Sequence, residues 1–189
     1  VKNNEFDINK TNTNNWQKSI LSHALIGEKK AFERLKFFVN NGLKNYKDGR
    51  NFPSQDNVSR LAPNFHFGEI SPNKVWYTVF NNNKNENTDH FLSELGWREF
   101  SNHLLYHFPQ FIYENLQKKF DGFPWKNDGI ALKKWQNGLT GFPLVDAGMR
   151  ELWQTGSMHN RLRMVVGSFL VKNLLIDWRH GAKWFWNCL

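Results

Sequence analysis

The sequence predicts an all-α domain, and three of its features lead to this prediction. Apolar residues recur at steps of three and four in several segments, as they do on one face of a helix. Ser, Pro and Gly stand at the edges of these segments, where helices start and stop. Apolar and polar residues alternate nowhere over the length of a strand, and the sequence contains no internal repeat.

The first predicted elements are a polar arm and a helix. Residues 1–16 are rich in asparagine, which indicates a linker or solvated arm ahead of a domain that spans residues 17–189. GEKKAFERLKFFVNNG then shows a helical pattern that ends near Gly42. Its apolar face contains Ala31, Leu35 and Phe38. Residues 46–68 hold Gly, Pro, Asn and Ser without periodicity and predict a region rich in loops.

Further helices are predicted in the middle of the chain. SPNKVWYTVF predicts a helix with Ser71 as its N-cap and Pro72 in its first turn. TDHFLSELGWREFSNHLLYHFP predicts a long helix that ends before Pro109. Its apolar residues at helical spacing are Phe91, Leu92, Leu95, Leu104 and Leu105. A polar connection follows to about Gly141, and PLVDAGMRELWQTG predicts a short helix that closes near Gly156.

The last predicted helix, in TGSMHNRLRMVVGSFLVKNLLIDWRHG, opens with polar side chains although the rest of it resembles core. Its apolar face contains Leu162, Val165, Val166, Phe169, Leu170 and Leu174. A second stripe contains Asn160, Arg163, Met164 and Gly167. Glycine in a helix costs about 1 kcal/mol relative to alanine, so either a crossing helix or a bound ligand is expected close to Gly167. Arg161 and Arg163 point about 200° apart, so one can face a phosphate while the other faces a buried site.

The composition restricts the classes of function. Lys and Arg outnumber Asp and Glu by 25 to 17, a formal net charge of +8, which favours a polyanion such as nucleic acid but also fits a merely basic protein. Nine Trp and 17 Phe indicate an aromatic core, although indoles also stack on flat ligands and take part in redox chemistry. The single cysteine, Cys188, excludes an internal disulfide and suits a reducing cytoplasm. The sequence has no apolar run of membrane-spanning length and no signal-peptide pattern.

Two motifs suggest ligand chemistry. In ELGWREF, Glu94 and Arg98 are four residues apart and can form a plain ion pair within a helix. Alternatively, they bind a ligand: Glu94 is hydrogen-bonded to a bound base, Trp97 stacks on that base, and Arg98 holds a phosphate or cofactor. In NVSRLAPNFHFGEISP, a loop that enters a helix can present N–H groups and hydroxyls to phosphate. Its glycine spacing is that of neither a P-loop nor a dinucleotide-binding loop.

Other chemistries receive less support. His103 and His107 are four residues apart, but no His-Glu-x-x-His motif accompanies them. We therefore interpret them as solvated or core histidines and predict no metal site. Cys188 lacks an activating context, and Asp146 and Glu151 are interpreted as helix-face charges.

Three segments in this order resemble the FAD-binding domain of the DNA photolyase/cryptochrome family: SRLAPNFHFGEISP, ELGWREF and GLTGFPLVDAGMRELWQTGSMHNRLRMVVGSFLVKNLLIDWRHG. The resemblance runs from about Tyr46 to the C-terminus, and MHNRLRM is most similar to class I cyclobutane pyrimidine dimer photolyases. It implies a helical domain that holds FAD and repairs these dimers in DNA with an electron from light-excited reduced FAD. A cryptochrome-like photoreceptor without repair activity is the alternative, and an inactive, basic DNA-binding domain is a third interpretation.

The resemblance also implies roles for individual residues. Those implied to bind FAD are Tyr46, Ser59, Arg60, Leu61, Phe91, Arg98, Asn160 and Arg163. Those implied to bind DNA are Arg50, Glu94, Trp97, Arg161 and Met164. Those implied to act in catalysis are Glu94, on the flipped pyrimidines, Asn160, by the reactive edge of the flavin, and Met164, on the dimer. Trp125 and Trp178 match the outer and middle members of a tryptophan chain that reduces the flavin.

The family pattern is incomplete in this chain. Because the chain does not begin with Met and ends directly behind core aromatics, we expect a partial FAD-binding domain, truncated at both ends and inactive by itself. An N-terminal α/β domain that carries an antenna chromophore of folate or deazaflavin type is expected outside it, as is the acid that pairs with Arg163. VSRLA, residues 58–62, stands where the family has Thr-Ser-x-Leu-Ser, so two hydroxyls are lost. The implied partner is UV-damaged DNA, bound by a monomer in the bacterial cytoplasm and not at a membrane.

Overall fold

The computed structural model describes residues 15–82 and 84–189, and these residues form helices and turns without a strand. The predicted all-α class is therefore confirmed. The predicted polar arm, residues 1–16, lies outside the described residues except for its last two, which begin the first helix.

The described residues form α-helices joined by turns. Their bounds are α1 Asn15–His23, α2 Glu28–Asn40, α3 Tyr46–Gly49, α4 Ala62–His66, α5 Pro72–Phe80, α6 Glu86–His107, α7 Gly129–Gln136, α8 Pro143–Thr155, α9 Asn160–Ser168 and α10 Trp178–Cys188. Short 3₁₀ turns occupy Gly42–Asn45, Pro109–Ile112 and Lys118–Phe120, and a π-helix follows α9 at Phe169–Asn173.

Buried side chains form one core cluster between α2, α5 and α6. At its centre, the ring of Phe38 lies 5.6 Å from that of Tyr46 and 4.7 Å from that of Phe91, measured between centroids. The predicted apolar face of α2 is buried as expected. On α6, however, burial is confined to the first half of the helix, and Leu105 near its end is 44% exposed. The N-terminal half of α6 thus anchors the core, and its polar residues are placed at a fixed surface.

A second core cluster is built from α7, α8, α9 and α10. Trp135 of α7 is fully buried, and its indole Nε1 donates a hydrogen bond to the carbonyl oxygen of Val166 on α9 at 3.0 Å. Helices α8 and α9 pack closely, since a methyl group added at Gly148 would lie 3.4 Å from Val166. This packing fixes α9, which carries the polar MHNRLRM motif.

Most predicted helix ends are confirmed. The Ser71 hydroxyl accepts a hydrogen bond from the N–H of Lys74 at 3.1 Å, with Pro72 at the start of α5. Gly156 ends α8 with φ 66°, a left-handed conformation that glycine adopts readily. Helices α7 and α10 were not predicted. Helix α7 has only eight residues, too few for a clear helical period.

The interpretation of Asp146 as a helix-face charge was wrong. Its carboxylate is buried and accepts hydrogen bonds from the N–H and hydroxyl of Thr140 at 2.8 and 2.6 Å and from the N–H of Gly141 at 3.0 Å. Burial by itself would raise the pKa of this carboxyl, but the hydrogen bonds from Thr140 and Gly141 and the charge of Arg150 outweigh it and lower the pKa. Asp146 therefore stabilises the loop before α8 by hydrogen bonds. The sequence pattern does not reveal this role, because it depends on backbone donors.

Replacing Asp146 with Asn should lower the free energy of unfolding at neutral pH by about 2–3 kcal/mol, because an amide NH₂ would face N–H donors. The lowered pKa means that the carboxylate stabilises the fold above its unfolded pKa of about 3.9 and that this contribution is lost as the pH falls through the folded pKa. Urea unfolding at pH 7 and below pH 4 measures both effects. An equal difference between the two proteins at both pH values would contradict this account.

Candidate functional site

A cleft of about 490 Å³ opens between α3, the first half of α6 and the start of α9. It is lined by Lys47, Asp48, Arg50, Asn51, His90, Ser93, Glu94, Trp97 and Arg161. Four predicted DNA-binding residues, Arg50, Glu94, Trp97 and Arg161, thus line one cleft although they come from three separate parts of the chain.

Glu94 forms an ion pair with Arg50 across the cleft, from α6 to the end of α3. The hydrogen bond that Arg50 donates to Glu94 raises the pKa of the Arg50 guanidinium, whose side chain is only 13% exposed. The alternative of a plain Glu94–Arg98 helix pair does not occur, because Arg98 pairs with Glu99 and lies over the ring of Phe65. The Glu94 carboxylate is therefore directed into the cleft by a partner 44 residues away.

Trp97 follows Glu94 by one turn of α6 and is 63% exposed. Its ring contacts Phe100 edge-on, with 5.7 Å between ring centroids. An indole left this open next to an anchored carboxylate presents a flat apolar face to the cleft. Such a face suits stacking with a planar ring.

Arg161, near the start of α9, reaches across to Asn51 behind α3. Its Nε and Nη2 donate to Asn51 Oδ1 at 2.8 and 2.6 Å, and its Nη1 lies 3.5 Å from the sulfur of Met164. Because Asn51 is neutral, these hydrogen bonds fix the guanidinium without cancelling its charge. Met164 is 57% exposed and lies beside this cation.

Arg163 points away from Arg161, as their spacing predicts. Its Nε donates to the carbonyl oxygen of Met158 at 3.0 Å, and burial lowers the pKa of its guanidinium. Within residues 15–82 and 84–189, no carboxylate pairs with it. Asn160 stands at the first position of the same helix with an exposed side chain.

His159 is the N-cap of α9. Its Nδ1 accepts a hydrogen bond from the N–H of Arg161 at 3.2 Å, while its buried Nε2 has no partner in the described part of the chain. Burial lowers the pKa of the imidazole, and so do the positive charges of Arg161, Arg50, Arg60 and Arg163. The positive charges of these arginines therefore act together on the imidazole at the start of α9.

Gly167 has free space beside it rather than a crossing helix. A methyl group added there would meet no heavy atom within 4 Å. Of the two alternatives from the sequence, the crossing helix is not found among the described residues. Gly167 thus leaves open space beside α9 at its own position, one turn after Arg163.

The loop before α4 contains the predicted phosphate-binding residues Ser59, Arg60 and Leu61. Arg60 has a positive φ of 55°, and Leu61 is fully buried. No hydrogen-bond acceptor for the backbone N–H groups of residues 57–61 is found in the described chain. Several peptide donors are therefore left for a ligand.

Tyr46 and Phe91, predicted to bind FAD, lie in the first core cluster rather than at an open surface. Tyr46 is 6% exposed and Phe91 3%. Burial raises the pKa of the Tyr46 hydroxyl to about 12, against the lowering effect of Arg50, whose guanidinium lies 5.5 Å from the ring centroid. Both rings thus belong to the buried core that supports the side of the cleft formed by Arg50 and Glu94.

Trp125 and Trp178 lie on two segments in the C-terminal half of the chain that a hydrogen bond brings together. The N–H of Lys126 donates to the carbonyl of Leu175 at 2.8 Å, and the indole of Trp178 donates to the Asn115 side chain at 2.7 Å. Both indoles are half-buried.

Several cleft residues escaped prediction. Lys47, Asp48, Asn51, His90 and Ser93 line the cleft together with the predicted ones. A signal for two of them was present, because His90, Ser93, Glu94 and Trp97 follow the three- and four-residue steps of one helix face. No comparable signal exists for Asn51, whose contact with Arg161 spans 110 residues.

His103 and His107 stand side by side on α6. The rings of His103 and His107 lie 4.3 Å apart, yet no group of three or more potential ligands that could hold a metal ion occurs among the described residues. Within the same residues no helix is both long and apolar enough to span a bilayer.

The described residues thus form an all-helical domain whose cleft combines the cations of Lys47, Arg50 and Arg161 with an anchored carboxylate and an exposed indole. The chain belongs to the family described as "FAD binding domain of DNA photolyase", whose profile matches residues 91–189. This range contains Glu94 and the whole of α9, while Arg50 and the loop of residues 57–61 precede it.

Curated relatives bear photolyase and cryptochrome names. A deoxyribodipyrimidine photo-lyase from Agrobacterium fabrum is 45% identical over 92% of this chain and 37% of its own length. Cryptochrome-2 from Arabidopsis thaliana is 40% identical over 86% of this chain and 28% of its own length. The chain thus spans about a third of the length of the relatives it matches.

Solved structures share the fold. The structure of a class III photolyase from Agrobacterium tumefaciens has a TM-score of 0.88 and 45% identity, covering 92% of this chain and 37% of its own. A photolyase from Sulfolobus tokodaii, solved with two FAD molecules, has a TM-score of 0.73 and 33% identity, covering 84% of this chain and 34% of its own. These matches do not confirm the expected similarity to class I in particular.

The residues of the site fit FAD chemically. A diphosphate only accepts hydrogen bonds, and the loop of residues 57–61 offers N–H groups without acceptors in the described part of the chain. Arg163 offers a desolvated cation, and Gly167 leaves open space on the same helix. Donors and space of this kind suit a flat, phosphate-bearing cofactor.

Proposed function

We propose that the protein containing this chain repairs cyclobutane pyrimidine dimers in DNA by light, with FAD as cofactor. The observation that carries the proposal is the single cleft that contains the Glu94 carboxylate, the Trp97 indole and the guanidinium groups of Arg50 and Arg161. A base flipped out of a duplex needs a polar group for its edge, a ring to stack on and cations for the flanking phosphates. The photo-lyase relatives favour the same function.

In this proposal, two sets of residues hold the cofactor. The backbone around Ser59, Arg60 and Leu61 binds its diphosphate, and Asn160 with Arg163 binds its ring system. Reduced FAD held by these residues would supply light-driven electron-transfer chemistry for opening the cyclobutane ring. Arg163 stays charged when buried and balances the negative charge of the bound cofactor. Tyr46 and Phe91 keep the wall behind the site rigid, and the Arg98 guanidinium of α6 lies over the ring of Phe65 on α4, 5.4 Å from its centroid.

The cleft residues position the lesion. Glu94 accepts a hydrogen bond from the pyrimidine edge while its ion pair with Arg50 holds the carboxylate in place. Trp97 stacks on the flipped bases and excludes water from one face, and Met164 covers them beside α9. Arg50 and Arg161 hold the flanking phosphates. A damaged base pair costs least to unstack, which favours the lesion over intact DNA.

The remaining assignments belong to the same proposal. Residues 17–189 form part of a helical FAD-binding domain, and Trp125 and Trp178 carry electrons between the surface and the site. An antenna chromophore is bound elsewhere in the whole protein, in line with the light-harvesting cofactor implied for the Sulfolobus photolyase. The protein acts as a monomer in the bacterial cytoplasm, where Cys188 remains reduced.

The second candidate function is a cryptochrome-like photoreceptor without repair activity. The relative from Arabidopsis favours it, since cryptochrome-2 is 40% identical to this chain. A receptor has no need of an exposed indole and an aimed carboxylate in a basic cleft. The cleft therefore supports repair over signalling.

Blue-light illumination of the whole protein with a dimer-containing oligonucleotide tests the proposed function. With flavin bound and reduced, we expect dimers to disappear in the light and to persist in a parallel dark sample. Persistence of the dimers under light in the flavin-loaded, reduced protein would contradict repair. Light-dependent binding of a protein partner in that case would favour the photoreceptor.

Replacing Arg161 with Gln should weaken binding of damaged and intact DNA alike and reduce the slope of log K against log salt by about 1, because one phosphate contact is lost. Replacing Asn51 with Asp should reduce the slope similarly, because the new carboxylate would neutralise Arg161. Fluorescence anisotropy titrations at several salt concentrations measure both slopes. The control is Lys183→Gln, which removes an exposed cation of α10 that does not line the cleft. A slope change in the control equal to that of the two variants would contradict the assignment.

A further inference from the structure

Arg34 of α2 binds the loop before α4 through several hydrogen bonds. Its Nε donates to the carbonyl of Ser59 at 2.9 Å and its Nη2 to the carbonyl of Val58 at 2.6 Å. Its Nη1 and Nη2 also bind the two oxygens of Asp56 at 3.0 and 2.7 Å. The Arg34 side chain is only 11% exposed, so this is a built-in contact rather than a surface ion pair.

We propose that Arg34 is a positioning residue for the cofactor diphosphate, which rests on the proposed binding of FAD. It touches no ligand in this proposal. It acts by setting the direction of the peptide groups that do.

The argument depends on the geometry of the peptide bond. In a trans peptide the C=O and the N–H point in opposite directions. Since the carbonyls of Val58 and Ser59 face Arg34, the N–H groups of Ser59 and Arg60 face away from it. Arg60 is left-handed, with φ 55°, and consecutive N–H groups around such a residue form a concave site for anions.

The loop has few hydroxyl side chains, so its backbone N–H groups are more important for binding phosphate. Val58 and Ala62 carry no hydroxyl, which leaves Ser59 as the only hydroxyl-bearing residue of VSRLA. Phosphate recognition here must therefore depend mainly on N–H groups, and those of residues 57–61 have no acceptor among the residues described. Their direction is fixed from outside the loop, by Arg34.

Asp56 in turn fixes Arg34. The hydrogen bond from Arg34 is the main cause of the lowered pKa of the Asp56 carboxyl, which stays ionised and engages the guanidinium with both oxygens. A lysine cannot reproduce this fork, because its ammonium is a point charge. Arg34→Lys thus keeps the charge and removes the geometry.

FAD titration of the whole protein that contains this chain tests the inference, with Arg34→Lys and Arg34→Gln as variants. We expect the Kd for FAD to rise about tenfold for Arg34→Lys and up to about a hundredfold for Arg34→Gln. At saturating FAD, the ³¹P resonances of the bound diphosphate should shift while the visible absorption bands of the isoalloxazine stay as in the unmodified protein. A role in overall folding would change both signals together.

Two further variants make the test decisive. Lys30→Gln removes the same charge from the same helix, at an exposed ion pair with Glu33, and should leave the Kd and both spectra unchanged. Asp56→Asn leaves Arg34 in place but loosens it, and it also breaks the ion pair of Asp56 with Arg60 at 3.4 Å, which the Arg34 variants keep. It should shift the ³¹P resonances in the same direction as an Arg34 variant, and even where an Arg34 variant fails to fold. Unchanged ³¹P resonances and Kd in the Arg34 and Asp56 variants would overturn the positioning role while leaving FAD binding intact. An unmodified protein that binds no FAD would instead overturn the proposed function and this inference with it.

Discussion

Replacing Glu94 with Gln is expected to reduce the preference for dimer-containing over intact DNA by about tenfold to a hundredfold, because hydrogen bonds to charged groups contribute about 1.5–3 kcal/mol. The Glu94 carboxylate is held in the cleft by Arg50 and stands one helical turn from the exposed Trp97. Gln keeps the shape of the side chain and loses its charge. The pyrimidine edge then meets a weaker acceptor, and Arg50 loses its ionic partner.

The measurement is a pair of dissociation constants, obtained in the dark for oligonucleotides of one sequence with and without a dimer. Affinity for intact DNA should stay the same or rise slightly, since a negative charge leaves a basic cleft. Glu99→Gln is the matched control: it lies on the same helix and pairs with Arg98, away from the cleft. Equal losses for both oligonucleotides would contradict a role in reading the lesion.

Replacing Trp135 with Ala is expected to lower the free energy of unfolding by about 3–5 kcal/mol. The indole is fully buried, packs edge-on against Phe185 at 6.0 Å between centroids, and donates a hydrogen bond to the carbonyl of Val166. Alanine would leave a large cavity and would remove the indole donor from the Val166 carbonyl, which then keeps only its backbone hydrogen bond from Phe169 at the start of the π-helix. Both defects lie next to the helix that presents Asn160 and Arg163.

Urea unfolding measures this loss of stability. Comparison with Trp135→Phe separates the contribution of packing from that of the hydrogen bond. Phenylalanine retains most of the packing and removes only the hydrogen bond, so its cost should be smaller, about 1–3 kcal/mol. If Trp135→Ala lost less free energy of unfolding than Trp135→Phe, the explanation by packing would be contradicted. Reduced FAD affinity in the alanine variant would extend the effect from the core to the site.

Sequence alone was sufficient for the fold class and for the long helices. Helix α2 buries its predicted face, α5 begins at its predicted cap, and α8 ends at Gly156. Each of these depends on residues three or four positions apart, or on a single cap, and such local relations can be read from spacing. The resemblance carried by ELGWREF and MHNRLRM pointed to the family in which the chain belongs.

The choice of partners for the charged residues was decided only by the tertiary structure. Glu94 had a local candidate in Arg98 and pairs instead with Arg50, and Asp146 lies buried among N–H donors rather than on a helix face. Arg161 binds Asn51 across 110 residues, and Arg34 orients a loop 22 to 25 residues away. A guanidinium or carboxylate can reach any group that the packing of helices brings within hydrogen-bond distance. Helical spacing contains no information about that packing, so the sequence indicated which helices carry the site but not which side chains meet there.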